Sequence, residues 1–265
     1  MSFKTILLHI NDKRRIKEPL AVAVSLARRH GAHLIGAYVV PPGVVMADAS
    51  AIREAFETAT HGETFTAEWR TLDSDQPTIS KKLLPHCRAA DLIITNQRDP
   101  DWQPSRLFDE PERLVLDSGR PVLIMPYAGH FPALGSRVMI AWNNRREATR
   151  AAFDALPLLK AAEEVRILWI NPQKDRTDYG GDPADTLPAA AIAHTLARHG
   201  VKAVASESIA PDMKVADELL SRLADQGTDL LVMGCYGHSR LSELVFGGVS
   251  RDILKHMTVP VLMSH

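Results

Sequence analysis

Cysteine is scarce in this chain. Cys87 and Cys235 are the only two, too few for a disulfide framework and in keeping with a reducing compartment, so a cytoplasmic protein is expected. Long apolar runs are missing as well. None approaches the roughly 20 residues needed to span a bilayer, which gives no reason to expect a membrane partner. The first residues, Met1-Ser-Phe-Lys-Thr-Ile-Leu-Leu8, lack the long apolar region and cleavage site of a signal peptide and read as a first strand. Neither sign of charge dominates. A formal net charge of −1 and a pI of about 6.8 argue against a broad nucleic-acid surface. Familiar reaction motifs are also lacking: there is no Gly-x4-Gly-Lys-Ser/Thr, Gly-x-Gly-x2-Gly, His-Glu-x2-His, Gly-x-Ser-x-Gly or Cys-x2-Cys. The 11 histidines are scattered without ligand spacing, so no metal site is expected. No nucleophile–base pair can be brought together from the sequence, and no catalytic residue is assigned.

What the chain does have is a repeat. Lys4-Thr-Ile-Leu-Leu-His-Ile-Asn11 matches Arg137-Val-Met-Ile-Ala-Trp-Asn143, each an apolar strand ending on asparagine. His33–Tyr38 matches Val165–Trp169, His61-Gly62 matches His199-Gly200, Ala90–Thr95 matches Thr228–Met233, and Pro121–Met125 matches Pro260–Met263. Five matches in order predict two copies of one domain, 1–128 and 136–265, joined by a Gly- and Pro-containing linker, Tyr127–Gly135.

Within each copy, short and nearly continuous apolar runs alternate with helical stretches. Strands are expected at Thr5–His9, Leu34–Val40, Leu92–Asn96, Val122–Met125, Val138–Trp142, Val165–Ile170, Leu230–Gly234 and Val259–Met263. Runs of this kind fit strands buried on both faces of a parallel sheet. Two more polar segments, Thr64–Leu72 and Lys202–Ile209, suit sheet edges. Helices are expected over Pro19–Arg29, Ala47–Thr60, Ile79–Ala89, Arg146–Leu159, Pro183–His199 and Val215–Asp225, with Gly31, Gly62 and Gly200 as C-terminal caps. The fold class is α/β, with two tandem doubly wound domains of Rossmann type.

The densest signal lies near the C-terminus: Gly234-Cys-Tyr-Gly237-His-Ser-Arg-Leu-Ser-Glu-Leu-Val-Phe-Gly247-Gly248-Val-Ser250. An apolar strand precedes it and an amphipathic stretch, Arg251–His256, follows. A loop between strand and helix can point backbone N–H groups at an anion, and the helix dipole favours negative charge there. The same glycines also serve as plain turns. Ser250 can donate to a phosphate or cap the helix.

The Gly-x2-Gly-x9-Gly spacing and the following Val-Pro-Val-Leu-Met263 resemble the nucleotide loop and last strand of the universal stress protein family. The tandem likeness covers nearly the whole chain. It implies five parallel strands per domain, an adenine nucleotide across the C-terminal strand ends, and phosphates on the glycine loop. The superfamily it implies is the adenine nucleotide alpha hydrolase-like one. The resemblance places ATP, with Mg²⁺ as a companion, at Trp142, Asn143, Ile170, Met233, Gly234, Gly237, His238, Arg240, Gly247, Gly248, Val249 and Ser250. Alternatives stay open at several of these. Trp142 and Ile170 suit the core equally, Asn143 suits a turn, and Arg240 suits solvent. Gly248 departs from the family pattern, which has Ser or Thr there, and Asn143 stands where an Asp is usual. The resemblance further implies that the last strands of two domains, Pro121–Met125 and Pro260–Met263, pair within one chain, with a homodimer as an option.

The first copy lacks the loop. After Asn96 come Gln97-Arg-Asp-Pro-Asp-Trp-Gln-Pro104, with no glycine before Gly119 and with Asp99, Asp101, Asp109 and Glu110 positioned to repel phosphate. One nucleotide site per chain, in the second copy, is therefore expected, used for binding and signalling in a stress response rather than for turnover. Slow ATP hydrolysis is the most that could be added. The rival expectation is a nucleotide-free interaction module that acts as a pseudo-dimer scaffold.

Overall fold

A strand buried on both faces needs a helix on each side, and the computed structural model shows that arrangement twice. It describes residues 2–10, 12–40, 49–74, 78–99, 101, 111–172, 189–235 and 248–265. The chain divides into two units, Met1–Pro132 and Ala133–His265. In the first, strands β1 (Thr5–His9), β2 (His33–Val40), β3 (Ala67–Asp73), β4 (Leu92–Asn96) and β5 (Val122–Met125) lie in the order β3-β2-β1-β4-β5, all parallel. Its helices are α1 (Lys17–His30), α2 (Ala49–Thr60), α3 (Ile79–Arg88) and α4 (Glu112–Asp117). In the second, β6 (Arg137–Trp142), β7 (Glu164–Ile170), β8 (Ala203–Ser208), β9 (Leu230–Gly234) and β10 (Val261–Ser264) lie in the order β8-β7-β6-β9-β10, again parallel. Its helices are α5 (Arg146–Asp154), α6 (Leu156–Leu159), α7 (Ala189–Arg198), α8 (Val215–Asp225) and α9 (Gly248–His256).

The repeat extends to strand register. Ile6 pairs with Leu92, and Val138 with Leu230, so moving by 132 and 138 residues carries one pair onto the other. Leu34–Ala67 becomes Val165–Ala203, and Ile93–Val122 becomes Leu231–Val261. One acid recurs with the register. Asp91 accepts the backbone N–H groups of Lys4 at 2.7 Å and Thr5 at 3.0 Å. Its counterpart Asp229 accepts those of Gly135 and Ser136, each at 2.9 Å, and Arg137 at 3.1 Å. Each carboxylate fixes the entry of the unit's first strand by satisfying donors that the ladder leaves open.

The central strands are buried nearly throughout, as at Ile6–Leu8, Leu92–Ile94, Met139–Ile140 and Leu230–Val232. One core position trades volume between the units. Gly36 pairs with Trp69, and the equivalent pair in the second unit is Ile167 with Ala205. A Cβ on Gly36 would lie 2.5 Å from the Trp69 ring and 2.8 Å from the Phe56 ring.

Some boundaries differ from the sequence-based expectation. The single helix expected over Arg146–Leu159 is two, α5 and α6, because Pro157 lacks an N–H and starts a new helical segment instead of continuing the old one. The last strand opens at Val261, since Pro260 contributes only its carbonyl, which accepts from Leu231 N–H at 3.0 Å. Helix α4 and a 3₁₀ turn at Lys13–Arg15 were not expected. Gly31, Gly62 and Gly200 do adopt positive φ at the helix ends, at 57°, 75° and 83°. Among the described residues, no helix is long and apolar enough to cross a membrane.

Candidate functional site

In a doubly wound sheet, ligands sit at the carboxyl ends of the central strands. In the second unit those are the ends of β6 and β9. Trp142 closes β6 with its side chain buried and its backbone paired to Trp169, so it serves the core. Asn143 makes the turn out of β6: its side-chain oxygen accepts the N–H of Arg145 at 3.2 Å, and Asn144 follows with φ +58°. This abrupt turn lets α5 start at Arg146, close over the end of β9. A Cβ on Gly234 would lie 2.4 Å from the backbone carbon of Glu147 and 2.5 Å from the backbone nitrogen of Ala148. Gly234 therefore lacks a side chain because a helix backbone occupies that space.

Beyond Gly234 the chain is pinned once more. Cys235 N–H donates to Ser264 C=O at 2.9 Å, and the Cys235 carbonyl accepts from His265 Nδ1 at 2.9 Å. Gly237, His238, Arg240 and Gly247 lie outside the described residues. The description resumes at Gly248, the first residue of α9. Gly248 and Val249 are exposed and Ser250 is buried, while Met233 and Ile170 are buried at the ends of β9 and β7. Among the described residues, no atom outside its own stretch of helix lies within 4 Å of a Cβ placed on Gly248, and its φ is not positive. The first turn of α9 thus offers N–H groups without intrahelical partners, which suits an anion. No cluster of three or more metal-ligating side chains occurs among the described residues.

The same place in the first unit is built differently. The repeat puts Asp99 where the second unit has Gly237. Asp99 is buried, and its carboxylate accepts from Arg15 Nη2 at 2.5 Å, Arg14 Nη2 at 3.3 Å and Asp101 N–H at 3.0 Å. Asp12, also buried, accepts the backbone N–H of Arg14 at 2.9 Å and its Nη2 at 2.8 Å. The Arg15 guanidinium lies 5.0 Å over the Tyr127 ring, and Tyr127 N–H is held by Gln97 Oε1 at 3.0 Å. Two arginines and two aspartates thus pair with one another at the strand ends.

Burial works to raise the Asp99 pKa, but hydrogen bonds from Arg15 and the Asp101 N–H, with the charges of Arg15 and Arg14, leave it below the usual carboxylate range. A carboxyl whose folded pKa is depressed stabilises the fold above its unfolded pKa, near 3.9. That contribution fades as pH falls through the folded value. Asp99→Asn should therefore lower the melting temperature at pH 7, and the gap to wild type should narrow as pH drops below about 4. Thermal melts across pH check this, and a gap that stays constant contradicts it.

Residues 136–265 match the family model described as "Universal stress protein family". The second unit belongs to the universal stress protein family. A stretch of 47 residues is 32% identical to universal stress protein MJ0577 of Methanocaldococcus jannaschii, covering 18% of this chain and 29% of that protein. A crystal structure of a universal stress protein from Archaeoglobus fulgidus DSM 4304 matches 98% of this chain and 97% of its own, with TM-score 0.69 and 14% identity. The protein PA1789 of Pseudomonas aeruginosa PAO1, described as functionally unknown, matches 99% and 92%, with TM-score 0.65 and 16% identity. At these identities the structural matches speak for the universal stress protein fold.

Among the sequence-named residues, the fold brings Trp142, Asn143, Met233 and Gly234 to adjacent strand ends, with Ile170 closing the next strand. Sequence reasoning missed Asn171. It follows Ile170 with φ +53° and is buried, and its carboxamide grips Ala210, accepting that residue's N–H at 2.8 Å and donating to its C=O at 3.1 Å. Beside it, Ser208 Oγ and Arg222 Nε both donate to Glu218 Oε1, at 2.5 and 2.8 Å. The Asn171-Pro172 dipeptide at a strand end was the available signal.

Proposed function

We propose that the second unit binds an adenine nucleotide, ATP with Mg²⁺, at one site per chain, as a signalling ligand and not for turnover. The observation that carries this reading is the end of β9 followed by α9, whose first turn meets no other described residue at Gly248. Backbone N–H groups of Gly248, Val249 and Ser250 would hold phosphates, joined by the loop residues Gly237, His238, Arg240 and Gly247. Asn143, Ile170 and Met233 would stand on the base and ribose side, with Trp142 behind them. The first unit takes no nucleotide in this reading, because the Asp12–Arg14–Arg15–Asp99 cluster fills the place of the loop with acids already paired. In this reading the bound nucleotide reports its presence through the shape of the site.

A nucleotide-free interaction module is the second reading. It is favoured by Gly234, whose missing side chain the packing of α5 already explains, and by the missing hydroxyl at Gly248.

The two readings separate at Gly248. A serine there meets no neighbour among the described residues and no φ strain, and it restores a hydroxyl at the helix N-terminus. Gly248→Ser should tighten ATP binding by roughly tenfold, the low end of the effect of one hydrogen bond to a charged oxygen. Isothermal titration reads this directly. No ATP binding to wild type or variant would establish the interaction module.

A further inference from the structure

The two units part company at the end of their second strands. In the first, β2 and β3 stay in register through Val39–Leu72 and Val40–Asp73, and the ladder continues with Ser74 N–H to Val40 C=O at 3.0 Å. In the second, the equivalent ladder stops at Ile170–Ser208, one pair sooner. Asn171 then turns left-handed, at φ +53°, which asparagine tolerates better than most residues. Its N–H still reaches Ser208 C=O at 2.8 Å, and its side chain takes over from the missing ladder by bonding both backbone groups of Ala210.

The clamp has a backing. Ser208 is held from below by Glu218, in the first turn of α8, and Arg222 reaches both of them, at 2.8 Å to Glu218 and 3.3 Å to Ser208. In the first unit the corresponding positions are Val40, Leu72, Lys82 and His86, which cannot form it. The clamp therefore exists only in the unit that keeps the glycine loop.

The clamped turn also carries apolar side chains into the open. Ile209 is 69% exposed and Met213 is 48% exposed. Exposed large apolar side chains are few among the described residues of this unit. These two sit on the turn fastened to the residue after Ile170.

We infer that Asn171 is a positioning residue for the base end of the nucleotide site, fixing the turn 208–213 against the end of β7 so that Ile209 and Met213 can wall an apolar, planar ligand group. The inference rests on the nucleotide reading above. It assigns the base end to this turn, whereas the phosphates belong to the first turn of α9. Asn171 spends one lone pair of its carboxamide oxygen and one amide N–H on Ala210 and acts through the backbone it holds.

The test compares two ligands on one protein. Full-length Asn171→Ala and Asn171→Gly are titrated with ATP and with inorganic tripolyphosphate, alongside wild type. Both variants lose the clamp, and the glycine keeps the left-handed backbone. ATP affinity should fall roughly tenfold in both, while tripolyphosphate affinity stays unchanged, since losing two backbone hydrogen bonds loosens only the base end. Asn171→Asp, which keeps the acceptor for Ala210 N–H, should recover part of the loss. As a second readout, saturating ATP should slow backbone hydrogen exchange across residues 208–213 in wild type. Equal losses for both ligands, or no loss of ATP affinity, or no protection of 208–213 would overturn the inference while leaving the nucleotide site standing. Failure of wild type to bind ATP would remove both.

Discussion

Gly234→Ala is expected to be the most damaging single-methyl change in the second unit. The added Cβ would stand 2.4 Å from the Glu147 backbone carbon and 2.5 Å from the Ala148 nitrogen. Neither atom belongs to a flexible side chain, so α5 or β9 must move. Overpacking of this kind costs about 1–3 kcal/mol and more where backbone is involved, a fall in melting temperature on the order of 10 °C. Thermal denaturation measures it. A variant within 2 °C of wild type, a threshold of roughly 0.5 kcal/mol, would show that α5 does not rest on Gly234. The result also bears on function. Lost nucleotide binding in Gly234→Ala says little about phosphate approach, because the helix packing is disturbed first. Gly248, whose added Cβ would meet none of the other described residues, is the glycine at which a side chain tests the ligand.

The second large effect is expected at Gly36, and it is reversible by design. Gly36→Ile drives a branched side chain into the rings of Trp69 and Phe56, which stand 5.2 Å apart by centroid. The loss should be about 3 kcal/mol. The second unit shows the remedy, since its equivalent cross-strand pair is Ile167 with Ala205. Gly36→Ile combined with Trp69→Ala should recover at least about half of the loss, a strongly non-additive pair. Chemical denaturation of the two single variants and the double variant measures the coupling. Simple additivity would mean that the two positions do not share one volume.

Much of this architecture was legible in the residues. Leu92–Asn96 and Leu230–Gly234 are strands with the expected bounds, because burial on both faces writes a continuous apolar run into the sequence. The more polar Ala67–Asp73 and Ala203–Ser208 pair with one neighbour each, β2 and β7, as their composition suggested. The site was harder to read. Glycine at position 234 looks the same whether a phosphate or a helix backbone comes close, and only the distance to Glu147 tells them apart. Asn143 and Asn171 both follow an apolar strand, yet one caps a two-residue turn and the other bridges 39 residues to Ala210. Arg15 and Asp99 meet across 84 residues, a pairing that local pattern does not encode. The aspartates of the first unit were legible as hostile to phosphate, but their arginine partners were not.

Titration of the purified full-length chain with ATP in the presence of Mg²⁺, by isothermal calorimetry after removal of any co-purified nucleotide, tests the central claim most directly. About one site per chain is expected, since the glycine spacing of the second unit is missing from the sequence of the first, where Asp99 is already paired with Arg14 and Arg15. Two equivalent sites, or no heat of binding at all, would contradict it.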